Sequence, residues 1–190
     1  MREKNGNTNS QKHGRRTLVP DYMFEKFDDV SVEFLQGEGI GALLIDIDNT
    51  LAPYEVSEPD ERIRGWFNAL DAAGIRAALV SNNERDRVEL FNRTLALPAY
   101  HDCKKPSRKK LLLAMNAVNA EREATLFLGD QIFTDVASAR RLGVRAAIVP
   151  PIKDKKTLFF KFKRMLERPI IKKYKKRSQK LAARQAKGNC

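Results

Sequence analysis

The sequence predicts an α/β fold in three layers: a parallel sheet of about five strands, covered by helices on both faces. Three observations predict it. Short apolar runs alternate along the chain with longer helix-like stretches, the order expected when each strand feeds a crossover helix. Several of those runs stop at polar residues, as buried strands do where they reach the edge of a sheet. Gly74 and Gly143 each follow a helical stretch and precede a strand, where a left-handed C-terminal cap belongs.

The elements follow in order. Residues 1–18 read as a disordered basic arm. Residues 20–40 hold Tyr22, Met23, Phe24, Phe27, Val30, Val32, Phe34 and Leu35 without clean periodicity, and predict a short element packed on the domain. The predicted strands are Ala42–Ile45, Ile75–Val80, Ala99–His101, Thr125–Leu128 and Val144–Val149. Helices are expected near 59–72, 84–96, 107–120 and 134–142. Ser57-x-x-Asp60 and Ser81-x-x-Glu84 have the spacing of capping boxes or close variants. Pro150-Pro151 ends the last strand and closes a domain over 19–152. Beyond it, Leu158, Phe162, Met165 and Leu166 recur at spacings of three and four among Lys161, Lys163, Arg164 and Arg168. That pattern predicts a basic amphipathic helix over 153–170, its apolar stripe laid on the domain or on a membrane. Residues 171–190 read as a basic, largely disordered tail.

Charge is unevenly spread. The chain has 190 residues and a net charge of +12. Residues 153–190 hold 15 Lys/Arg and 2 Asp/Glu, while residues 1–152 hold 21 and 22. The body is near neutral and the end carries the surplus, which suits a polyanionic surface such as anionic lipid, nucleic acid or a ribosome, or else a solvated tail. The segment Met1 to Arg16 has no apolar core of a secretory signal. No apolar run approaches the roughly 20 residues of a membrane span. The chain is therefore expected in the cytoplasm. Cys103 and Cys190 are too few for a closed zinc site and do not suggest a structural disulfide.

The chemistry lies at the predicted strand ends. The first strand runs into Asp46-Ile47-Asp48-Asn49-Thr50, the second into Ser81-Asn82-Asn83, the third into Lys104-Lys105-Pro106, and the fourth into Gly129-Asp130 followed by Thr134-Asp135. A parallel sheet brings these ends to one edge, where open α/β sheets bind ligands. Clustered carboxylates repel one another and call for a cation, and an all-oxygen set suits Mg²⁺. A hydroxyl and an ammonium facing that cation suit a phosphoryl group, whose charge must be neutralised in transfer.

These four stretches, in this order, resemble the motifs of the haloacid dehalogenase superfamily and specifically its phosphatases. The resemblance spans residues 42–149 and implies the Rossmann-like fold of that superfamily. It implies that Asp46 is a nucleophile forming an aspartyl-phosphate. Asp48 would protonate the leaving oxygen and then activate water. Lys105 would stabilise the nucleophile and the developing charge, although Lys104 is an alternative for that role. Ser81 would bind the phosphoryl group, with Asn82 and Thr50 beside it. Mg²⁺ would be held by Asp46, the Asp48 backbone carbonyl and Asp130, with Asp135 supporting the metal shell or Lys105.

The gaps between motifs hold little more than a helix and a strand each, which leaves no room for a cap domain. An open site favours phosphate carried on something large. Asp-Ile-Asp-Asn-Thr-Leu, Ser-Asn-Asn, Lys-Pro and Gly-Asp-Gln-x-x-Thr-Asp look like the capless subfamily IIIA, in particular the bacterial relatives of mitochondrial phosphatidylglycerophosphate phosphatase. With Phe162-x-x-Met165-Leu166-Glu167-Arg168 that resemblance covers about 19–170. It implies hydrolysis of phosphatidylglycerophosphate to phosphatidylglycerol by a cytoplasmic enzyme peripheral to the inner face of the membrane. Two other readings compete: a module bound to RNA or the ribosome through its basic tail, and a soluble phosphatase for a small metabolite or a phosphoprotein.

Overall fold

The computed structural model describes residues 17–153 and 158–188, with side chains of the last helix described over 165–180. The expected N-terminal arm lies outside the described residues except for Thr17 and Leu18. In chain order the elements are β1 (Tyr22–Met23), α1 (Val32–Gly37), β2 (Ala42–Ile45), α2 (Glu61–Ala72), β3 (Arg76–Val80), α3 (Arg85–Asn92), β4 (Ala99–Tyr100), α4 (Lys109–Ala117), β5 (Thr125–Gly129), α5 (Ala137–Leu142), β6 (Arg145–Ile148) and α6 (Leu158–Gly188). A π-helical turn, Ile132–Val136, leads into α5.

The sheet has six strands in the order β1-β6-β5-β2-β3-β4, all parallel. This is one strand more than the five expected. The extra strand, β1, pairs Tyr22 with Ala147 and Met23 with Ile148 at the sheet's edge. Two residues cannot display a period of two, so no pattern announced it. Asp21 fastens that edge: its Oδ2 accepts from Ala146 N at 2.8 Å and from Arg140 Nη1 at 2.7 Å.

The central strands are buried throughout because helices cover both faces. Alternate side chains feed two cores. Leu43, Ile45 and Leu79 pack with Trp66, Phe67 and Leu70 of α2 and Phe91 of α3. Leu44, Val80 and Phe127 pack with Leu111 and Met115 of α4 and Leu142 of α5. Residues 24–40 belong to the first core. Phe27 meets Trp66 edge-on at 5.3 Å, and Trp66 Nε1 donates to Val30 O at 3.0 Å. The segment thus fills the flank of the sheet. Among the described residues no separate cap domain stands between the motifs: α2 alone separates β2 from β3, and α3 alone separates β3 from β4.

Gly74 and Gly143 have φ of 71° and 78°, as helix-ending glycines require. The two expected capping boxes are not formed. Asp60 itself caps α2, its Oδ1 accepting from Ile63 N at 2.8 Å. Ser81 Oγ accepts from Asn83 N at 3.0 Å in the turn before α3 instead of reaching the helix. Cys103 is buried and free, and burial pushes its thiol up to about 11.

The last helix departs most from expectation. It continues through Gly188 although a disordered tail was expected from residue 171. Lys, Arg, Gln, Ala and Leu dominate that stretch, and all are strong helix formers. Pro169 lies within the helix. The domain-facing stripe also differs. Ile170 and Ile171 pack on the second core, Glu167 is buried, and Tyr174 hydrogen-bonds the Met23 backbone. These four positions recur at helical spacing. Of the expected stripe, Met165 and Leu166 point away, 52% and 44% exposed, while Leu158 and Phe162 lie outside the residues whose side chains are described.

Candidate active site

The β2 strand delivers Asp46 to the edge of the sheet, its N–H still donating to Leu128 O of β5 at 2.9 Å. The chain then turns sharply. Asn49 N donates to Ala52 O at 2.7 Å and Leu51 N to Ile47 O at 2.9 Å. Asn49 takes φ of 65°, a left-handed conformation that asparagine tolerates better than most residues. This turn presents the Asp46 and Asp48 carboxylates to one cavity.

The cavity is about 240 Å³ and opens to solvent above the strand ends. Of the residues expected at the site, Asp46, Asp48, Ser81, Asn82 and Lys105 line it. Asp130 and Asp135 are buried and lie outside the lining, yet carboxylate oxygens of Asp46, Asp130 and Asp135 all fall within 4.8 Å of one another. Thr50 is buried and is not brought to the cavity; its hydroxyl makes no hydrogen bond among the described residues.

Lys105 sits at the centre. Its Nζ lies 2.6 Å from Asp46 Oδ1 and 2.8 Å from Asp135 Oδ1, with the side chain almost wholly buried. Lys104 is exposed, so the alternative between the two lysines falls to Lys105. Asn82 holds the loop, its Oδ1 accepting from Lys105 N at 2.6 Å. Burial alone would lower the Lys105 pKa; Asp135 and Asp46 outweigh it and raise it, so the ammonium stays charged. Burial pushes the Asp46 carboxyl well above the usual carboxylate range; Lys105 pulls it back, while Asp135 and Asp130 push it further.

Asp135 has both oxygens engaged, Oδ1 by Lys105 and Oδ2 by Gln131 N at 3.0 Å. Gly129 makes this possible, since a Cβ there would stand 2.5 Å from the Asp135 Cβ. The loop is also held from outside: Ile132 N donates to Glu167 Oε1 of α6 at 3.1 Å.

Asp48 faces the cavity with both oxygens occupied. Oδ1 accepts from Arg87 Nη2 at 3.1 Å. Oδ2 accepts from Asn83 Nδ2 at 3.1 Å and from Ser81 Oγ at 3.4 Å. Arg87 was missed in the sequence, and Asn83 was named there as part of the second strand end without a role of its own. Asn83 precedes α3 and Arg87 lies in its first turn, and no sequence pattern set Arg87 apart from its charged neighbours. Tyr54, Gln131 and Thr134 also line the cavity and were not foreseen.

Three buried carboxylates against one ammonium leave surplus negative charge in the core. Such an arrangement fits a hard divalent cation, whose presence would reverse the upward push on Asp46.

The chain is 28% identical over 163 residues to the "Probable phosphatase YqeG" of Bacillus subtilis, covering 86% of this chain and 95% of that protein. Among solved structures, the cobalt-bound deoxy-D-mannose-octulosonate 8-phosphate phosphatase of Haemophilus influenzae aligns at 14% identity and a TM-score of 0.47, over 60% of this chain and 80% of its own. The phosphate complex of CbbY from Rhodobacter sphaeroides aligns at 16% identity and a TM-score of 0.44, over 63% and 90%. The model of the haloacid dehalogenase-like hydrolases matches residues 3–143, and with a parallel sheet that gathers all four motifs at one edge, the chain belongs to that family.

Proposed function

We propose that this chain is a Mg²⁺-dependent phosphomonoesterase of the capless subfamily IIIA, and that its substrate is phosphatidylglycerophosphate. The observation that carries the chemistry is the Asp46 carboxylate held 2.6 Å from a buried ammonium at the base of an open cavity, with Asp48 facing the same space.

In this reading an Asp46 oxygen attacks the phosphorus. The bond to the leaving oxygen breaks, and Asp48 gives that oxygen its proton. Asp48 then takes a proton from water, the water oxygen attacks phosphorus, and the bond to Asp46 breaks to release inorganic phosphate. Ser81 donates to the transferring phosphoryl group, beside Asn82. Lys105 offsets the negative charge that builds there. With both its oxygens engaged, Asp135 serves as support for Lys105. Asp46, Asp130 and the Asp48 backbone carbonyl would hold Mg²⁺. That ion, when bound, neutralises charge on the phosphoryl group during transfer.

Three features support a lipid substrate. The absence of a cap among the described residues leaves room for a bulky leaving group. Tyr54, an exposed aromatic side chain, lines the cavity, and the exposed Ile152 has its backbone N–H donating to the O of Asn49, another lining residue, at 3.1 Å. And α6 is tied through Glu167 to the loop that follows Asp130, and carries Lys172, Lys173, Lys175, Lys176, Arg177 and Lys180 in exposed positions. Lys and Arg near an anionic bilayer gain roughly 1 kcal/mol each. No helix of the described residues is long and apolar enough to cross a membrane, so contact would be peripheral.

The test is Mg²⁺-dependent phosphate release from phosphatidylglycerophosphate in mixed micelles, beside a panel of soluble phosphomonoesters. Preference for the lipid, abolished by chelator and in Asp46→Asn, is the expected result. Activity confined to soluble esters would keep the mechanism and discard the lipid. Salt-sensitive RNA binding without any hydrolysis would favour the RNA-bound module instead.

A further inference from the structure

We propose that Arg87 is a positioning residue that aims the Asp48 carboxylate at the leaving oxygen; the proposal rests on the phosphatase reading above.

The geometry is specific. Arg87 projects from the first turn of α3 and is almost wholly shielded from solvent, its side chain 9% exposed. Its Nη2 donates to Asp48 Oδ1 at 3.1 Å. Nε and Nη1 make no hydrogen bond among the described residues. The guanidinium lies over the ring of Phe91, one turn further along α3, at 5.1 Å from the ring centre. Phe91 is fully buried in the first core. The guanidinium is therefore fixed on one side by a ring that cannot move and on the other by a single carboxylate. Arginine buried for stability alone usually meets several acceptors with its five donors. Here the carboxylate is the acceptor, and it belongs to the residue assigned the proton transfer.

Asp48 needs such a restraint. Its side chain sits at the end of a turn and faces an open cavity, with 19% exposure. Asn83 and Ser81 hold Oδ2, and Arg87 holds Oδ1, so the carboxylate plane is set by contacts on both oxygens. With Arg87 removed, Oδ1 loses its donor and the group can rotate about its last bond. Proton delivery depends on aim, and removing a partner that orients an active group typically lowers activity by about 10–100-fold.

The leaving group separates positioning from mere structural support. A departing alkoxide needs a proton, whereas 4-nitrophenolate leaves without one. Loss of aim at Asp48 should therefore slow the first step, release of the leaving group, for alkyl phosphates and spare it for 4-nitrophenyl phosphate, whereas activation of water in the second step is common to both esters. A structural defect would damage both alike.

The experiment compares the single-turnover rate of leaving-group release, and KM, of wild type, Arg87→Met and Arg87→Lys on glycerol phosphate and on 4-nitrophenyl phosphate, with Tm measured for each protein. The expected result is a loss in the rate of leaving-group release of about 10–100-fold on the alkyl ester, under roughly threefold on the aryl ester, and little change in KM. Arg87→Lys keeps a cation and should recover part of the alkyl activity. Arg87→Met added to Asp48→Asn should cost nothing further on the alkyl ester, because both act through one group. An equal loss on both esters in both variants, or additive losses in the double variant, overturns the proposal while leaving the phosphatase reading intact. A wild type that hydrolyses neither ester nor phosphatidylglycerophosphate removes the reading and the proposal together.

Discussion

Lys105 keeps its charge in the core because two carboxylates reach it, Asp46 at 2.6 Å and Asp135 at 2.8 Å. Removing one member of a buried ionic group leaves the others uncompensated, typically at 3–5 kcal/mol. Lys105→Met should therefore lose about that much stability in chelator, read by urea unfolding, and divalent cations should restore part of it. Asp46 has the opposite character. Burial raises its carboxyl above the unfolded value. Its folded form thus binds a proton more tightly, so the stability it contributes is full below the unfolded pKa of about 4 and fades as pH rises through the folded value. The metal-free protein should accordingly lose Tm from about pH 4 upward. Asp46→Asn should show a flatter profile, although it abolishes turnover. Parallel profiles for the two proteins would contradict this. At Gly129 an added methyl meets the Asp135 Cβ at 2.5 Å, so Gly129→Ala should cost about 1–3 kcal/mol by overpacking and reduce activity with it. Most of these residues were legible in the sequence because each motif pairs a residue type with a strand end. Arg87 was not, since an arginine on a charged helix face looks like its neighbours Arg85 and Asp86 until the fold aims it inward.

At the scale of elements, β2, β3, β5 and β6 were legible because buried strands need unbroken apolar runs, and the chain supplies them with polar stops. The two ends of the domain were not. β1 is too short to show a period, and it is held by Asp21 and Arg140, residues far apart in sequence. In α6 two positions of the expected apolar stripe, Met165 and Leu166, turn outward, while a glutamate turns inward. Glu167 is buried because the π-helical turn of Ile132–Val136 offers it a backbone donor, Ile132 N at 3.1 Å. That bond links the last helix to the loop carrying Asp130 and Asp135. Glu167→Ala should leave a buried N–H unpaired at about 1–3 kcal/mol, seen as a lower Tm. It should also lower kcat by loosening that loop. An unchanged kcat would mean that α6 leaves the loop undisturbed.

At the scale of the molecule, a near-neutral domain carries a helix whose exposed surface is strongly basic. Co-sedimentation should find the protein on phosphatidylglycerol-containing vesicles at low salt and largely free on neutral phosphatidylcholine, with binding weakened as ionic strength rises. Equal binding to both vesicles would remove charge from the account. The class of fold and the class of chemistry were legible together, because the motifs have meaning only when a parallel sheet brings four strand ends to one edge. The leaving group left no comparable mark, since an open cavity surrounds the phosphoryl end and little else. The central claim is covalent transfer to Asp46. Its most direct test is mass spectrometry of Asp48→Asn quenched with borohydride during turnover of 4-nitrophenyl phosphate, whose leaving group needs no proton, so that this variant should let the intermediate accumulate. The account predicts homoserine at position 46, formed by reduction of an aspartyl-phosphate. Phosphate release by wild type with no modification at Asp46 under these conditions, and with Asp46→Asn still active, would contradict it.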